Sequence, residues 1–257
     1  MQTWILMIIG FILVHLFKMI RLYLVLMEHK LPFWDFVLLY LRTTFVNLLI
    51  PFKLGEVYRI EEISRLTGIW QVGVLSVVVD RYYDILALFL WLLAIGIWQG
   101  GVFCVIFPVF GVLILLGALL YLAIPGSFSY LNRYLIRRGR SGRSLAALRG
   151  LDLVKIWYDF TAKLIEGRAF LIIATSALGW GAELITLFCL GRSCGLMFRV
   201  SDFGNYIDSI FLRGGNMPIY HLYTGRSTAA LLAATLGGYL ILGIAKVLNQ
   251  PKKDEEK

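Results

Sequence analysis

The fold of this chain depends on the stretch Asn47-Leu-Leu-Ile-Pro-Phe-Lys-Leu-Gly-Glu-Val-Tyr-Arg59 and on Asp80-Arg-Tyr-Tyr-Asp84 further along. In the first stretch, Pro51 and Gly55 break a hydrophobic segment that already carries Arg42. In the second, three charges lie near the middle of an apolar run. Each charge at the centre of a membrane helix costs about 2.5–3.5 kcal/mol on insertion scales. Because charges kept there usually mark a transport pathway or a binding site, these residues are where we expect the function.

The composition of the chain is that of an integral membrane protein. Of its 257 residues, 59% are hydrophobic and 16% are charged, and the mean hydropathy is +0.78. Soluble domains carry about 25% charged residues. The net charge of +9 comes mainly from residues 125–168, which hold nine Lys or Arg against three Asp or Glu. Such an excess predicts a cytoplasmic loop and argues against a nucleic-acid partner.

Five hydrophobic runs are predicted to cross the bilayer, whose hydrocarbon core is about 30 Å thick. They are residues 3–27, 69–97, 102–124, 169–190 and 227–247. We interpret residues 1–27 as a retained helix and not as a signal peptide, because a basic leader and a small-residue cleavage site are missing. With residues 125–168 inside, the order of the spans places the N-terminus outside and the C-terminus in the cytoplasm.

Residues 33–60 enter the membrane from the cytoplasm in this scheme and must return to it. We therefore predict a re-entrant hairpin with its tip around Asn47, Pro51 and Gly55. A broken backbone of this kind is tolerated within a membrane only where protein or a polar cavity covers it.

A second break lies in residues 203–225, which are half apolar and contain Gly214-Gly-Asn-Met-Pro218. These residues are predicted to dip in from the outside and to return there. Two broken segments that enter from opposite faces are the pattern of an inverted-repeat transporter. The alternative is that residues 33–50 and 203–220 are ordinary short crossings, which would put one basic segment on the wrong side of the membrane.

We treat the chain as one transmembrane domain (1–257), with a first half (1–124), the basic segment 125–168 and a second half (169–257). Apolar residues recur every three to four positions along residues 144–166. This stripe predicts an amphipathic helix on the inner leaflet, where nearby arginines would favour anionic lipid headgroups. A helix packed on neighbouring loops is the alternative.

Asp80 lies ten residues beyond Trp70, which places it about 15 Å deep, close to the middle of the bilayer. Asp80 and Asp84 share one face of a helix, and Arg81 is within reach of Asp84. Two interpretations stay open. The charges form an ion-pair network that ties this helix to the hairpin, or they line a polar cavity in which Arg59 and Arg81, held by the carboxylates, bind a phosphate.

Two further ionisable groups extend this constellation. Arg42, on the hairpin, is a candidate partner that would favour ionisation of the two aspartates. Glu183 is the only acid of the span 169–190 and lies about 22 Å from Arg168 along the helix. It is predicted to pair with Arg213 on the second broken segment, to act as a proton site, or to be an ordinary buried partner. Histidines and cysteines are scattered without the spacing of metal ligands, so no metal or cofactor is expected.

Together these residues resemble a motif of the lysylphosphatidylglycerol synthase family, in its flippase-like transmembrane region. That family shows an Asn, then Pro-x-x-x-Gly-Glu-x-x-Arg, then an acid–Arg pair with an Asp three residues on. The matching residues here are Asn47, Pro51, Gly55, Glu56, Arg59, Asp80, Arg81 and Asp84. Arg21 resembles the basic residue that the family carries just before the first hairpin. The second signature of the family is reduced here to the break at residues 214–218, without the glutamate that usually follows.

The resemblance implies translocation of a lipid or a lipid-linked saccharide across a prokaryotic cytoplasmic membrane for assembly of the cell envelope. Our first hypothesis is a flippase-like protein whose partners are anionic or phosphate-linked membrane lipids. The alternative is a non-transporting membrane subunit that docks a glycosyltransferase or a synthase through the basic segment. A membrane enzyme and a second copy of the chain are the protein partners considered.

Enzymatic activity is the weakest hypothesis. An intramembrane enzyme would have to use Asp80 and Asp84, and the sequence offers neither an evident nucleophile nor a metal site beside them. The aminoacyl-transfer activity of the name-giving enzymes is not implied, because these residues include no soluble domain that would bind aminoacyl-tRNA.

Overall fold

The structure, a computed structural model, describes residues 2–50, 54–101, 104–138, 142–212 and 217–248. These residues form helices and the turns between them, and none of them lies in a strand. The predicted all-helical fold is therefore confirmed. Within the described ranges, nine α-helices follow one another: α1 (Gln2–Leu26), α2 (Phe33–Leu49), α3 (Gly55–Thr67), α4 (Trp70–Trp98), α5 (Phe107–Arg138), α6 (Gly142–Ile165), α7 (Ala169–Cys194), α8 (Phe203–Leu212) and α9 (Pro218–Leu248).

Among the residues that the structure describes, three helical segments are long and apolar enough to cross a membrane by length and composition. They are Ile5–His29, Phe107–Arg137 and Ala169–Cys194. Helices α4 and α9 have 29 and 31 residues, more than the roughly 20 that a crossing requires. The count of five spans and two re-entrant segments stays a prediction.

The centre of the bundle consists of α1, α4 and α7, and α1 packs most extensively on α7. Arg168, just before α7, donates to the carbonyl oxygen of Leu24 at 3.0 Å and pairs with Glu28, so the end of α1 meets the start of α7. The two helices are therefore antiparallel. The start of α4 lies at the same end, which we call the Trp70 end, and it shares a core cluster there with both helices: Val25, Leu75 and Ile172. The opposite end is the Trp98 end.

Glycines allow these central helices to approach closely. A Cβ atom at Gly10 would collide with the side chain of Thr186, and one at Gly181 would lie 3.0 Å from the indole of Trp91. The same indole donates from Nε1 to the carbonyl oxygen of Ala177 at 2.9 Å. Small residues at such contacts are typical of helices packed within a membrane, where van der Waals contact drives association.

Helices α2 and α3 form a helical hairpin that packs on α4. Gly55 begins α3 directly against the backbone of Asn47, so a Cβ atom at this position would collide with it. Helix α3 then runs back to the Trp70 end, where Gly68 (φ 71°) closes it in the left-handed conformation that glycine adopts without strain. The predicted tip residue Pro51 lies outside the described residues. The helical hairpin is observed, and its return to the same side of the membrane stays a prediction.

Most of the basic segment 125–168 lies in two helices, α5 and α6, and its placement as a cytoplasmic loop stays a prediction. Helix α5 continues through Pro125, and α6 folds back along it, with the rings of Tyr121 and Tyr158 in contact at 5.0 Å between centroids. Proline usually ends a helix because it removes a backbone hydrogen bond, but here the helix continues and α6 packs along it. The helix predicted at residues 144–166 is observed as α6, and its position on the inner leaflet stays a prediction. It packs on α5 and α4 and buries Leu164, and thus belongs to the bundle.

The predicted boundary between the second broken segment and the last span is wrong. The prediction ended the broken segment at Gly225 and began the last span at Ser227, but both residues lie inside one uninterrupted helix. A lone glycine inside a helix costs only about 1 kcal/mol relative to alanine, and Pro218 suits a first helical turn. Helix α9 starts at the Trp98 end, where Ile219 contacts Gly191, and packs on α2 further along.

Helix α8 is short and connects the start of α5 with α7. Asp208 accepts hydrogen bonds from the backbone N–H groups of Val105 (3.1 Å) and Ile106 (3.0 Å). On the other side, Phe203 and Tyr206 are buried in the core cluster that contains α7. Its ten residues rise about 15 Å, so α8 covers about half the thickness of a bilayer core.

Candidate functional site

Six charged side chains meet where α1, α3 and α4 pack together. We call this group the central network, and its three arginines and three carboxylates cancel in formal charge: Arg21, Glu56, Arg59, Asp80, Arg81 and Asp84. The structure thus brings together five of the predicted site residues. The sixth member, Arg21, was connected with them only through the family resemblance.

Arg21 lies at the core of the central network. Its Nε and Nη2 atoms donate to the two carboxylate oxygens of Asp80 at 2.6 and 3.1 Å, which is the bidentate geometry that a guanidinium group favours. Its Nη1 atom pairs with Asp84 and donates to Ser176 Oγ at 3.3 Å. Asp84 also accepts from Trp180 Nε1 at 3.0 Å. One arginine therefore joins α1, α4 and α7 in the interior of the bundle.

Arg59 connects the α2–α3 hairpin to this centre. Its side chain is 5% exposed, and its Nη1 atom lies 3.6 Å from both Glu56 Oε2 and Asp80 Oδ2. Its Nη2 atom donates to Thr44 Oγ1 at 3.3 Å. Asn47 donates from Nδ2 to Glu56 Oε1 at 2.9 Å. The conformation of the hairpin tip and the charges on α4 are consequently coupled.

Arg81 is the accessible member of the central network. Its Nη2 atom lies 2.6 Å from Glu56 Oε1, and its Nη1 atom lies 3.4 Å from Asp84 Oδ2. Its side chain is nevertheless 36% exposed, whereas that of Asp80 is 1% exposed. Both carboxylates that hold Arg81 have other donors, because Glu56 also binds Asn47 and Asp84 also binds Arg21. Arg81 can therefore turn one edge towards a ligand without leaving an acid unpaired.

Four polar atoms around the hairpin tip are buried without a hydrogen-bond partner among the described residues. They are the Nε atoms of Arg59 and Arg81, Oδ1 of Asn47 and Oε2 of Glu56. An unsatisfied buried polar group costs about 1–3 kcal/mol, so such atoms are few in folded proteins. All four belong to side chains that contact one another. Unused hydrogen-bonding capacity thus collects around the side chains of Glu56, Arg59 and Arg81.

Glu183 lies next to the central network but outside it. It pairs with Lys18 Nζ at 2.9 Å and accepts a hydrogen bond from Tyr206 at 2.7 Å. Lys18 Nζ also lies 5.0 Å from the ring centroid of Trp180, whose indole binds the central network. The suggested partner Arg213 lies outside the described residues, so that pairing and the role of Glu183 as a proton site stay predictions.

Arg42 does not join the central network, which corrects its suggested role beside the aspartates. It pairs with Glu62, donates from Nη1 to the hydroxyl of Tyr239 at 3.4 Å, and lies over the ring of Tyr58 at 5.7 Å. Arg65 Nη1 lies 3.5 Å from the same glutamate. We call these five residues the Arg42 cluster. Residues 58, 62 and 65 share one face of α3, and Glu56 and Arg59 share another.

The sequence reasoning missed Lys18, Ser176, Trp180 and Tyr206. Lys18 lies three residues before Arg21 on an apolar helix, so the helical period was a usable signal that the two share a face. For the other three, local spacing holds no such signal, because their contacts depend on how α7 lies against α1, α4 and α8.

A bundle of apolar helices with a buried, electroneutral charge network defines this chain as an integral membrane protein. The lysylphosphatidylglycerol synthase TM region matches residues 2–202, which is well over half of the chain. The protein belongs to this family, as the resemblance predicted, and the family places it among membrane proteins of lipid or cell-envelope biosynthesis. No curated protein and no solved structure matches the chain.

Proposed function

We propose that this protein binds the phosphate-bearing headgroup of an anionic phospholipid or a lipid-linked saccharide at the α2–α3 hairpin and moves it across the membrane. The observation that carries the proposal is Arg81, a partly exposed guanidinium group held by two carboxylates near the middle of α4. A planar guanidinium suits a phosphate oxygen pair.

The two predicted phosphate donors have different roles in this proposal. Arg59 is buried and occupied by Glu56, Asp80 and Thr44, so it positions the hairpin. Arg81 is the group that a headgroup reaches. Binding of an anion would use reorientation of Arg81 together with the unsatisfied Nε–H donors of Arg59 and Arg81.

The lengths of the hairpin helices support a membrane-embedded tip. Helices α2 and α3 have 17 and 13 residues, which correspond to about 25 and 20 Å of rise. Neither reaches the roughly 30 Å of a hydrocarbon core. A hairpin that returns halfway creates a polar pocket at its tip, and broken helices that meet there are typical of transporter binding sites. The lipid tail stays in the bilayer.

Reconstitution of the full chain in liposomes with a fluorescent phosphatidylglycerol tests the proposal. Loss of charge-assisted hydrogen bonds predicts that Arg81→Gln slows translocation about tenfold to a hundredfold, while the exposed control Arg149→Gln keeps the wild-type rate. Wild-type rates in an Arg81→Gln variant with an unchanged unfolding temperature would remove this site from the mechanism. Absence of translocation by the wild-type chain, with lipid still bound, would favour an accessory role.

A second candidate function is docking of a membrane enzyme through the α5–α6 hairpin. Helix α5 has 32 residues, about 48 Å of rise, and so exceeds the bilayer core by about 18 Å. Its last turns expose Tyr130 and Ile136 beside the exposed cations Arg133 and Arg137. Co-purification of a synthase or glycosyltransferase that Arg133→Gln with Arg137→Gln abolishes, at unchanged lipid translocation, would support it.

A further inference from the structure

We infer that the Arg42 cluster is a second anion site, which binds a phosphate group on the face of the hairpin opposite to the central network. The ligand class is a phosphate mono- or diester with a net negative charge. The site is separate from the transport proposal, because it shares no residue with the central network and does not require translocation.

Charge balance distinguishes the two groups of residues. In the central network three arginines face three carboxylates, so their formal charges sum to zero. In the Arg42 cluster Arg42 and Arg65 share the single carboxylate of Glu62, so the sum is +1. An excess cation on a helix that contacts lipid is unfavourable unless an anion accompanies it. An anionic group bound at the Arg42 cluster would therefore neutralise its excess positive charge.

The guanidinium group of Arg42 is already held in one orientation by its neighbours. The ring of Tyr58, the carboxylate of Glu62 and the hydroxyl of Tyr239 fix the guanidinium from three directions. Its Nε atom is buried and has no hydrogen-bond partner among the described residues, although 36% of the side chain is exposed. A guanidinium that is already oriented loses little further entropy when a phosphate binds it.

The position of the cluster favours a membrane phosphate. Glu62 lies five residues before the end of α3, about 7.5 Å from the Trp70 end, and Arg65, 71% exposed, lies still nearer to that end. On α9, the exposed side chains of Leu236 and Leu240 lie on either side of Tyr239. A phosphate between the two arginines would therefore have apolar surface beside it for an acyl chain.

Native mass spectrometry of the intact protein in detergent, titrated with phosphatidylglycerol or phosphatidylcholine, tests this inference. Arg65→Gln removes one exposed cation, so phosphatidylglycerol should bind about fivefold more weakly, as expected for one arginine near a membrane surface. Arg42→Gln should weaken it further. Neither substitution should change phosphatidylcholine binding, and the exposed control Arg149→Gln should leave the phosphatidylglycerol affinity unchanged. Equal phosphatidylglycerol affinity in wild type, Arg42→Gln and Arg65→Gln would overturn the inference.

Two further experiments are needed. The first identifies the source of the phosphate, and the second distinguishes a role of Glu62 in anion binding from a role in holding Arg42. Competition by inorganic phosphate that depends on Arg42 would assign the site to the free anion, and lack of competition with retained lipid binding would assign it to a lipid headgroup. Glu62→Gln raises the sum of charges from +1 to +2, so anion affinity should rise. A fall in affinity in a Glu62→Gln variant with an unchanged unfolding temperature would show that Glu62 only anchors Arg42, and the inference would fail.

Discussion

The pairs α2–α3 and α8–α9 are the two broken segments of the predicted inverted repeat, but they are built differently. Helices α2 and α3 pack along each other and place Asn47, Glu56 and Arg59 at their tip. Helix α8 packs less on α9, and its buried face is aromatic, with Phe203 and Tyr206. The first pair thus carries charge and the second carries ring surface. Similar chain interruptions do not imply similar chemistry.

The difference has consequences for stability as well as for function. In the first half, several ions depend on one another, so removal of one partner leaves buried charge unpaired. In the second half, Glu183 has two partners of different kinds, Lys18 and Tyr206. Loss of one leaves the other in place. Substitutions should therefore be more damaging in the first half than in the second.

Arg21→Met should have the largest effect. It leaves Asp80 and Asp84 without their main cation in the interior, which predicts a loss of about 3–5 kcal/mol in the free energy of unfolding. The matched substitution on the same helix, Lys18→Met, should cost less, because Lys18 is partly exposed and Glu183 keeps Tyr206. Thermal unfolding in detergent, followed by tryptophan fluorescence, measures both. Equal losses would contradict the difference between the central network and the pair formed by Lys18 and Glu183.

Gly55→Ala should have the next largest effect. Its new Cβ atom would collide with the backbone of Asn47, and the resulting overpacking predicts a loss of about 1–3 kcal/mol together with opening of the hairpin tip. Gly225→Ala is the matched control in α9, where no heavy atom lies within 4 Å. Alanine is the better helix former there, so a gain of up to about 1 kcal/mol is expected. A neutral Gly55→Ala would show that the close contact is not required.

Asp208→Ala tests the connection between α8 and α5. It removes the acceptor for the N–H groups of Val105 and Ile106, a cap-like contact whose loss predicts about 0.5–2 kcal/mol. Asp208→Asn, which keeps one oxygen acceptor, should lose less. Faster amide hydrogen exchange at the start of α5, and not in the α2–α3 hairpin, is the expected signature. Exchange that accelerates equally in both places would show that the two regions unfold together.

Helix positions could largely be predicted from the sequence, because hydrophobic runs within a membrane have few alternatives to helix. The run at residues 3–27 corresponds to α1, and that at 69–97 corresponds to α4. The helices differ from the predicted runs at Pro125 and Gly225, where a residue that can end a helix does not end it. Whether such a residue ends a helix depends on packing against a helix that is distant in sequence. Rules that use only neighbouring residues do not include this packing.

The candidate site was predictable where its residues lie close in sequence. Asp80, Arg81 and Asp84 share a helix, and the motif after Asn47 supplied the hairpin residues. The error over Arg42 has a physical cause, because the orientation of α2 about its own axis decides which side of α3 that arginine reaches. Contacts between α1 and α7 could not be predicted from the sequence, because they too depend on how the helices are oriented.

Tyr206→Phe should have the smallest effect of these substitutions. It removes one hydrogen bond to Glu183 and keeps the ring against Phe203, so the expected loss is about 0.5–1.5 kcal/mol. If the second half supplies ring surface and not charge recognition, lipid translocation should keep its wild-type rate. A large fall in translocation at an unchanged unfolding temperature would instead make Glu183 and Tyr206 part of the transport path. The two broken segments would then be functionally paired despite their different chemistry.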